Sequence, residues 1–86
     1  MTYTVELSKR VAKVVRRMDT ATRTRVQDRL LQLAQDPLSP RWSKELTAME
    51  RLRSSRVGGW RILYTVAEAN KVVSVTSIKP RGQAYR

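Results

Sequence analysis

At 86 residues the chain supports one domain around one modest core, burying roughly 60–65% of the surface that its unfolded form exposes. It contains no cysteine and no histidine, which excludes disulfide scaffolds, zinc fingers and thiol nucleophiles and removes the commonest metal ligand and general base. Eighteen Lys and Arg against seven Asp and Glu leave a net charge of +11, a self-repelling surplus that calls for a polyanionic partner such as RNA or DNA.

Arginine carries most of that charge, 13 Arg to 5 Lys. The guanidinium plane forks onto phosphate in a bidentate way and stacks on bases, whereas an ammonium is a point charge. No run approaches the ~18 apolar residues of a membrane span, and residues 1–9 lack the apolar segment of a signal peptide, so a cytoplasmic protein with no membrane association is expected. Without repeats or a long linker, residues 1–86 read as a single domain.

The alternation in Tyr3-Thr4-Val5-Glu6-Leu7 predicts a first strand. Ser8 is placed to cap a helix in which Val11, Val14, Val15 and Met18 form one apolar stripe, with Lys9, Arg10, Lys13, Arg16 and Arg17 around it as a solvated face. Asp19-Thr20 breaks and recaps the chain. Val26, Leu30, Leu33 and Ala34 then mark a second helix that ends before Pro37. A loop follows through Pro40, and strands are predicted over 50–57, 60–66 and 71–78, with turns at Gly58-Gly59 and at 67–70, where Asn70 tolerates a left-handed conformation. The expected fold is α+β, in the order βααβββ, with two N-terminal helices packed on one face of a mainly antiparallel four-stranded sheet.

A two-residue turn at Gly58-Gly59 sets Val57 opposite Trp60 and so fixes side-chain parity. Trp60, Ile62, Tyr64 and Val66 share an apolar face suited to the helices. Arg56 and Arg61 then lie directly across from each other on the opposite face, a like-charge pairing that destabilises a sheet unless an anion sits between them. Arg51 and Arg53 have the other parity and are assigned to the strand edge as further RNA-binding candidates. The segment after the last strand adds Lys79, Arg81, Tyr85 and Arg86, basic groups and an aromatic of the kind that grips a phosphate chain and stacks on a base. Trp42, between Arg41 and Ser43, is read chiefly as closing the helix pair against the sheet. Glu45 and Glu50 are too isolated to form an acid/base pair.

The run Gly59-Trp60-Arg61-Ile62-Leu63-Tyr64, preceded by Arg56 and followed by Lys71-Val72-Val73-Ser74-Val75 and then by Arg81 and Tyr85, resembles the RelE/ParE superfamily of toxins of type II toxin–antitoxin systems. Chain length, element order and positive charge agree with it. The resemblance implies a ribosome-dependent messenger RNA endonuclease of the RelE type, held inactive by an acidic antitoxin in a heteromeric complex and needing no cofactor or metal. It implies Arg61, Arg81 and Tyr85 as catalytic residues and Arg56 as a phosphate support. Leu52 and Ser54 stand where well-known active members carry two lysines, and Pro80 where a histidine often precedes the final arginine. Two alternatives stay open: a ParE-like toxin that inhibits DNA gyrase by binding it, and a catalytically inactive basic RNA-binding module.

Overall fold

The chain runs β1 (Thr4–Leu7), α1 (Lys9–Arg17), α2 (Thr20–Gln35), β2 (Lys44–Thr47), β3 (Leu52–Val57), β4 (Trp60–Ala67) and β5 (Val72–Pro80). The computed structural model describes residues 2–47 and 51–80. Ser8, itself extended, starts α1 by accepting a 3.1 Å hydrogen bond from the Val11 amide, which satisfies one of the helix's orphan donors. Asp19 does the same for α2: one carboxylate oxygen accepts from the Thr22 amide at 3.1 Å and the other from the Thr22 hydroxyl at 2.7 Å. The hydroxyl bond, helped by the amide bond, holds the Asp19 carboxyl below the usual carboxylate range. Val11 and Val15 of α1 and Val26 and Leu33 of α2 are buried, while the five basic residues of α1 are exposed. Among the described residues no helix is long and apolar enough to cross a membrane.

Both helices cover one face of a sheet with strand order β1-β5-β4-β3-β2. β3, β4 and β5 form an antiparallel meander, and β1 pairs with β5 in parallel, Thr4 opposite Val72 through Leu7 opposite Val75. Val57, Ile62, Tyr64, Val73, Val75 and Ile78 of the sheet meet Val11 and Val15 of α1, Met18 at its C-cap and Val26 and Leu33 of α2, with Tyr3, Val5, Trp42 and Trp60 at the rim of this core. Gly58 takes φ +57° and alone of the two turn residues is left-handed, the pattern of a type II′ hairpin.

Two expectations are corrected. The sheet has five strands, not four, because Lys44–Thr47 pairs with the outer edge of β3 through Lys44 opposite Ser54 and Glu45 opposite Arg53. That tetrapeptide has one aliphatic residue and no readable period; hydrogen bonding to a neighbour makes it a strand. At the β4–β5 turn Lys71, not Asn70, is left-handed, with φ 57°. Its carbonyl accepts from the Thr4 amide at 2.8 Å and its ammonium lies 4.9 Å from the centre of the Tyr3 ring, contacts that join β1 to the turn.

Since the Asp19 carboxyl titrates at a lower pH folded than unfolded, its stabilisation is present above the unfolded value and is lost as pH falls through the folded one. Asp19→Asn keeps a capping oxygen and cannot titrate. Thermal unfolding followed by circular dichroism from pH 6 to pH 3 is expected to show the wild type losing stability faster than Asp19→Asn as acid is added; parallel curves would contradict this.

Candidate nucleic-acid interface

The register Val57 opposite Trp60 sets Arg56 directly across from Arg61, and Arg61 directly across from Lys79 of β5. These three cations form a row across β3, β4 and β5. Their chain neighbours Val57, Ile62 and Ile78 enter the core, so the row lies on the face turned away from the helices. Lys79 belongs to it because β5 carries a bulge. Leu63 pairs with Ser77 but Tyr64 pairs with Val75, leaving Thr76 as the extra residue, its hydroxyl donating to the Leu63 carbonyl at 3.3 Å. The bulge lets Val75 and Ile78, three residues apart, both point inward, and it turns Lys79 outward.

At the β3 end of this row lies a hollow of about 390 Å³, lined by Arg29, Arg41, Lys44, Arg56 and Arg61 with Pro40, Trp42, Ser43 and Ser54. It exists because β2 stops at Lys44 opposite Ser54, leaving the outer edge of residues 55–57 without a strand among the described residues. Arg29 of α2 occupies that edge: one terminal nitrogen donates to the Ser55 hydroxyl at 2.8 Å and to the Arg56 carbonyl at 2.9 Å, while its Nε donates to Gln32 at 2.8 Å. Among the described residues, five cations and no carboxylate line the hollow. Its volume falls in the range of sites for small organic ligands, about 300–1,000 Å³.

The loop that supplies Pro40, Arg41, Trp42 and Ser43 is anchored from beneath. The Tyr64 hydroxyl, on a fully buried side chain, donates to the Pro37 carbonyl at 2.7 Å. With that proton committed, the Ser43 hydroxyl at 2.5 Å donates to the Tyr64 oxygen, and Arg53 Nε donates in turn to the Ser43 oxygen at 2.6 Å. Burial pushes the Tyr64 phenol above its ordinary pKa, against the opposing pull of Ser43 and Arg53. The indole N–H of Trp42 donates to the Asp36 carbonyl at 2.8 Å.

Of the residues singled out from the sequence, the structure brings Arg56, Arg61 and Lys79 together. Arg51 and Arg53 do not join them; they line a separate hollow of about 370 Å³ with Glu45, Glu68, Leu38 and Val66. Arg81, Tyr85 and Arg86 lie outside the described residues. Arg29, Arg41 and Lys44 were not singled out. A signal for two of them was present in Arg41-Trp42-Ser43-Lys44, where basic residues flank an aromatic; Arg29 reaches the site only through the packing of α2 on β3. Among the described residues no three acidic, histidine or cysteine side chains gather as a metal site requires.

The family profile described as the ParE toxin of type II toxin–antitoxin systems matches residues 5–85. The chain belongs to this family. Its fold is that of RelE/ParE toxins. A chain of the RelE–RelB complex of Pyrococcus horikoshii OT3 superposes with a TM-score of 0.81 at 29% identity, covering 98% of this chain and 100% of that one. A mutant of the Escherichia coli toxin RelE in the free state gives 0.80 at 22% identity, over 99% and 88% of the two chains. A chain of the RelBE2 toxin–antitoxin complex of Mycobacterium tuberculosis gives 0.79 at 22%, over 94% and 100%. No curated protein matches it. The molecule is thus a RelE/ParE-type toxin of a toxin–antitoxin system.

Tyr64→Phe removes the donor to Pro37 and the acceptor for Ser43 in one step. It is expected to lower stability by about 1–3 kcal/mol in urea unfolding, with an unchanged dependence on urea concentration. Arg56→Ser is expected to raise the melting temperature by about 2 °C at low salt, by relieving the pairing with Arg61, and this gain should fade at 1 M salt as the repulsion is screened. A melting temperature lowered equally at both salt concentrations would show that the two arginines do not repel.

Proposed function

We propose that this RelE/ParE-type toxin is a messenger RNA endonuclease that acts on the ribosome. The observation that carries the reading is the hollow lined, among the described residues, by five cations, Trp42 and no carboxylate, opening onto the Arg56–Arg61–Lys79 row. RNA brings its own nucleophile, the 2′-hydroxyl. A protein that aligns it in line with the phosphorus and stabilises the added negative charge supplies much of the catalysis. In that reaction the 2′-oxygen bonds to phosphorus as the bond to the 5′-oxygen breaks, leaving a cyclic phosphate and a 5′-hydroxyl. Arg61 and Arg81 are assigned to charge stabilisation, Arg56 to holding the phosphate, and Tyr85 to proton transfer or stacking on a base. Arginine is a poor base, so the proton acceptor is sought in Tyr85 or Lys79.

A toxin this basic is proposed to be held by an acidic, partly disordered antitoxin that folds against it. Solved neighbours of this fold include toxin–antitoxin complexes. Action on translating ribosomes would place the protein in the cytoplasm.

One observation favours a second reading: the profile that matches is that of ParE toxins, and the gyrase-inhibitor reading weighed from the sequence needs no phosphate-stabilising cluster. Adding the purified chain to a translation system and mapping transcript ends, with gyrase supercoiling assayed in parallel, separates the two. Ribosome-dependent cuts that fall at least ~10²-fold in Arg61→Ala, the scale for losing one preorganised transition-state contact, are expected. Loss of supercoiling with intact transcripts would transfer the assignment to gyrase.

A further inference from the structure

The row has a second end. β1 pairs with β5 only as far as Val75, so among the described residues the outer edge of residues 76–80 has no neighbouring strand, just as β3 loses β2 beyond Ser54. A hollow of about 120 Å³ opens there between β5 and α1, with Arg10 and Lys79 as its charged members and Val11, Val14 and Ile78 as its apolar wall. At about 30 Å³ per water it takes roughly four waters' worth of volume, the size of a phosphate group and too small for a nucleoside.

Lys79 belongs to this hollow and, through its pairing with Arg61, to the row that ends in the larger one. The smaller hollow, on the α1 side of the β5 edge, and the larger one at the β3 edge therefore flank the row at the same end of the sheet. With strands about 4.8 Å apart, the Arg56–Arg61–Lys79 row spans about 10 Å. Arg10 lies beyond that, exposed on α1.

Building on the RNA reading above, we infer that the Arg10/Lys79 hollow is a second phosphate subsite, which holds the backbone of the same single-stranded RNA at a point beyond the phosphate at Arg56 and Arg61. The larger hollow has space for a nucleotide and the smaller one only for a backbone phosphate, so the two hollows grip a strand at two points and read bases at one. Arg10 is the residue that distinguishes this arrangement from a diffuse positive field. Lys13, one turn further along α1, is also exposed and does not line the hollow.

The test uses the full chain and fluorescein-labelled 2′-O-methyl oligoribonucleotides, which cannot be cut, of two and of six nucleotides, with binding followed by anisotropy from 0.05 to 0.4 M salt. For the hexamer, Arg10→Ala is expected to weaken binding about 5-fold at 0.1 M salt and to reduce the slope of log K against log salt by about 0.7, the signature of one lost single-strand phosphate contact. Dinucleotide binding should be unchanged, and Arg10→Lys should restore most of the hexamer affinity. Lys13→Ala should leave both within 2-fold. Equal losses in Arg10→Ala and Lys13→Ala, or an unaltered hexamer slope in Arg10→Ala, would overturn the subsite. So would an acidic peptide of six glutamates that shows the Arg10 dependence while the hexamer does not, since that would assign the hollow to a protein partner. Because the probe is not cleaved, a chain that fails to cut transcripts yet shows the Arg10-dependent slope loses the nuclease assignment and keeps the RNA subsite.

Discussion

Side chains along a strand must alternate between faces, and the cationic row exists because β5 breaks that rule once. An unbroken strand that buried Val73 and Val75 would also aim Lys79 at the helices, where an unpaired ammonium costs far more than a methyl group repays. The bulge at Thr76 absorbs one residue, so that Ile78 replaces residue 77 as the inward side chain and Lys79 emerges beside Arg61. Apolar packing and charge placement are thus satisfied by the same local irregularity. On β3 and β4 the type II′ turn at Gly58 does the corresponding work, since shifting the pairing by one residue would exchange Arg61 with Ile62.

The outer strands shape the site by being short. β1 and β2 have four residues each and stop before the end of the sheet carrying the row, leaving two strand edges there that no other described strand covers. Open edges invite pairing with other chains. Here Arg29 partly satisfies one of them through the Arg56 carbonyl, and charge surrounds both. The loop between α2 and β2 supplies the remaining wall of the larger hollow, and its position rests on the neutral phenol of Tyr64 and on Ser43. Arginines held on one face against their mutual repulsion are a local cost that the rest of the fold absorbs, as is common where a protein binds a ligand of opposite charge.

Much of this was legible in the residues. Ser8 and Asp19 cap the two helices as their side chains predict, the stripes of α1 and α2 enter the core, and the Gly58-Gly59 turn gives the pairing of Arg56 with Arg61. β2 was not legible, because a strand of Lys, Glu, Leu and Thr owes its conformation to a neighbour distant in sequence. Arg29 was hidden for a related reason: its role depends on α2 lying along β3, and nothing in a helical period says which strand edge a boundary residue will meet. Arg51 and Arg53 look like natural companions of Arg56, yet their parity takes them to a different hollow beside Glu45 and Glu68.

The sequence by itself determined the amount and kind of charge, the absence of thiol and imidazole chemistry, both helices and the register of the central hairpin. These are properties of composition or of contacts within a few residues. Tertiary structure decided which cations share a surface, that the sheet has a fifth strand and a parallel edge, and that two hollows flank one row. Those outcomes depend on pairings between residues tens of positions apart and on a single bulge, whose energies arise only once the chain has closed on itself.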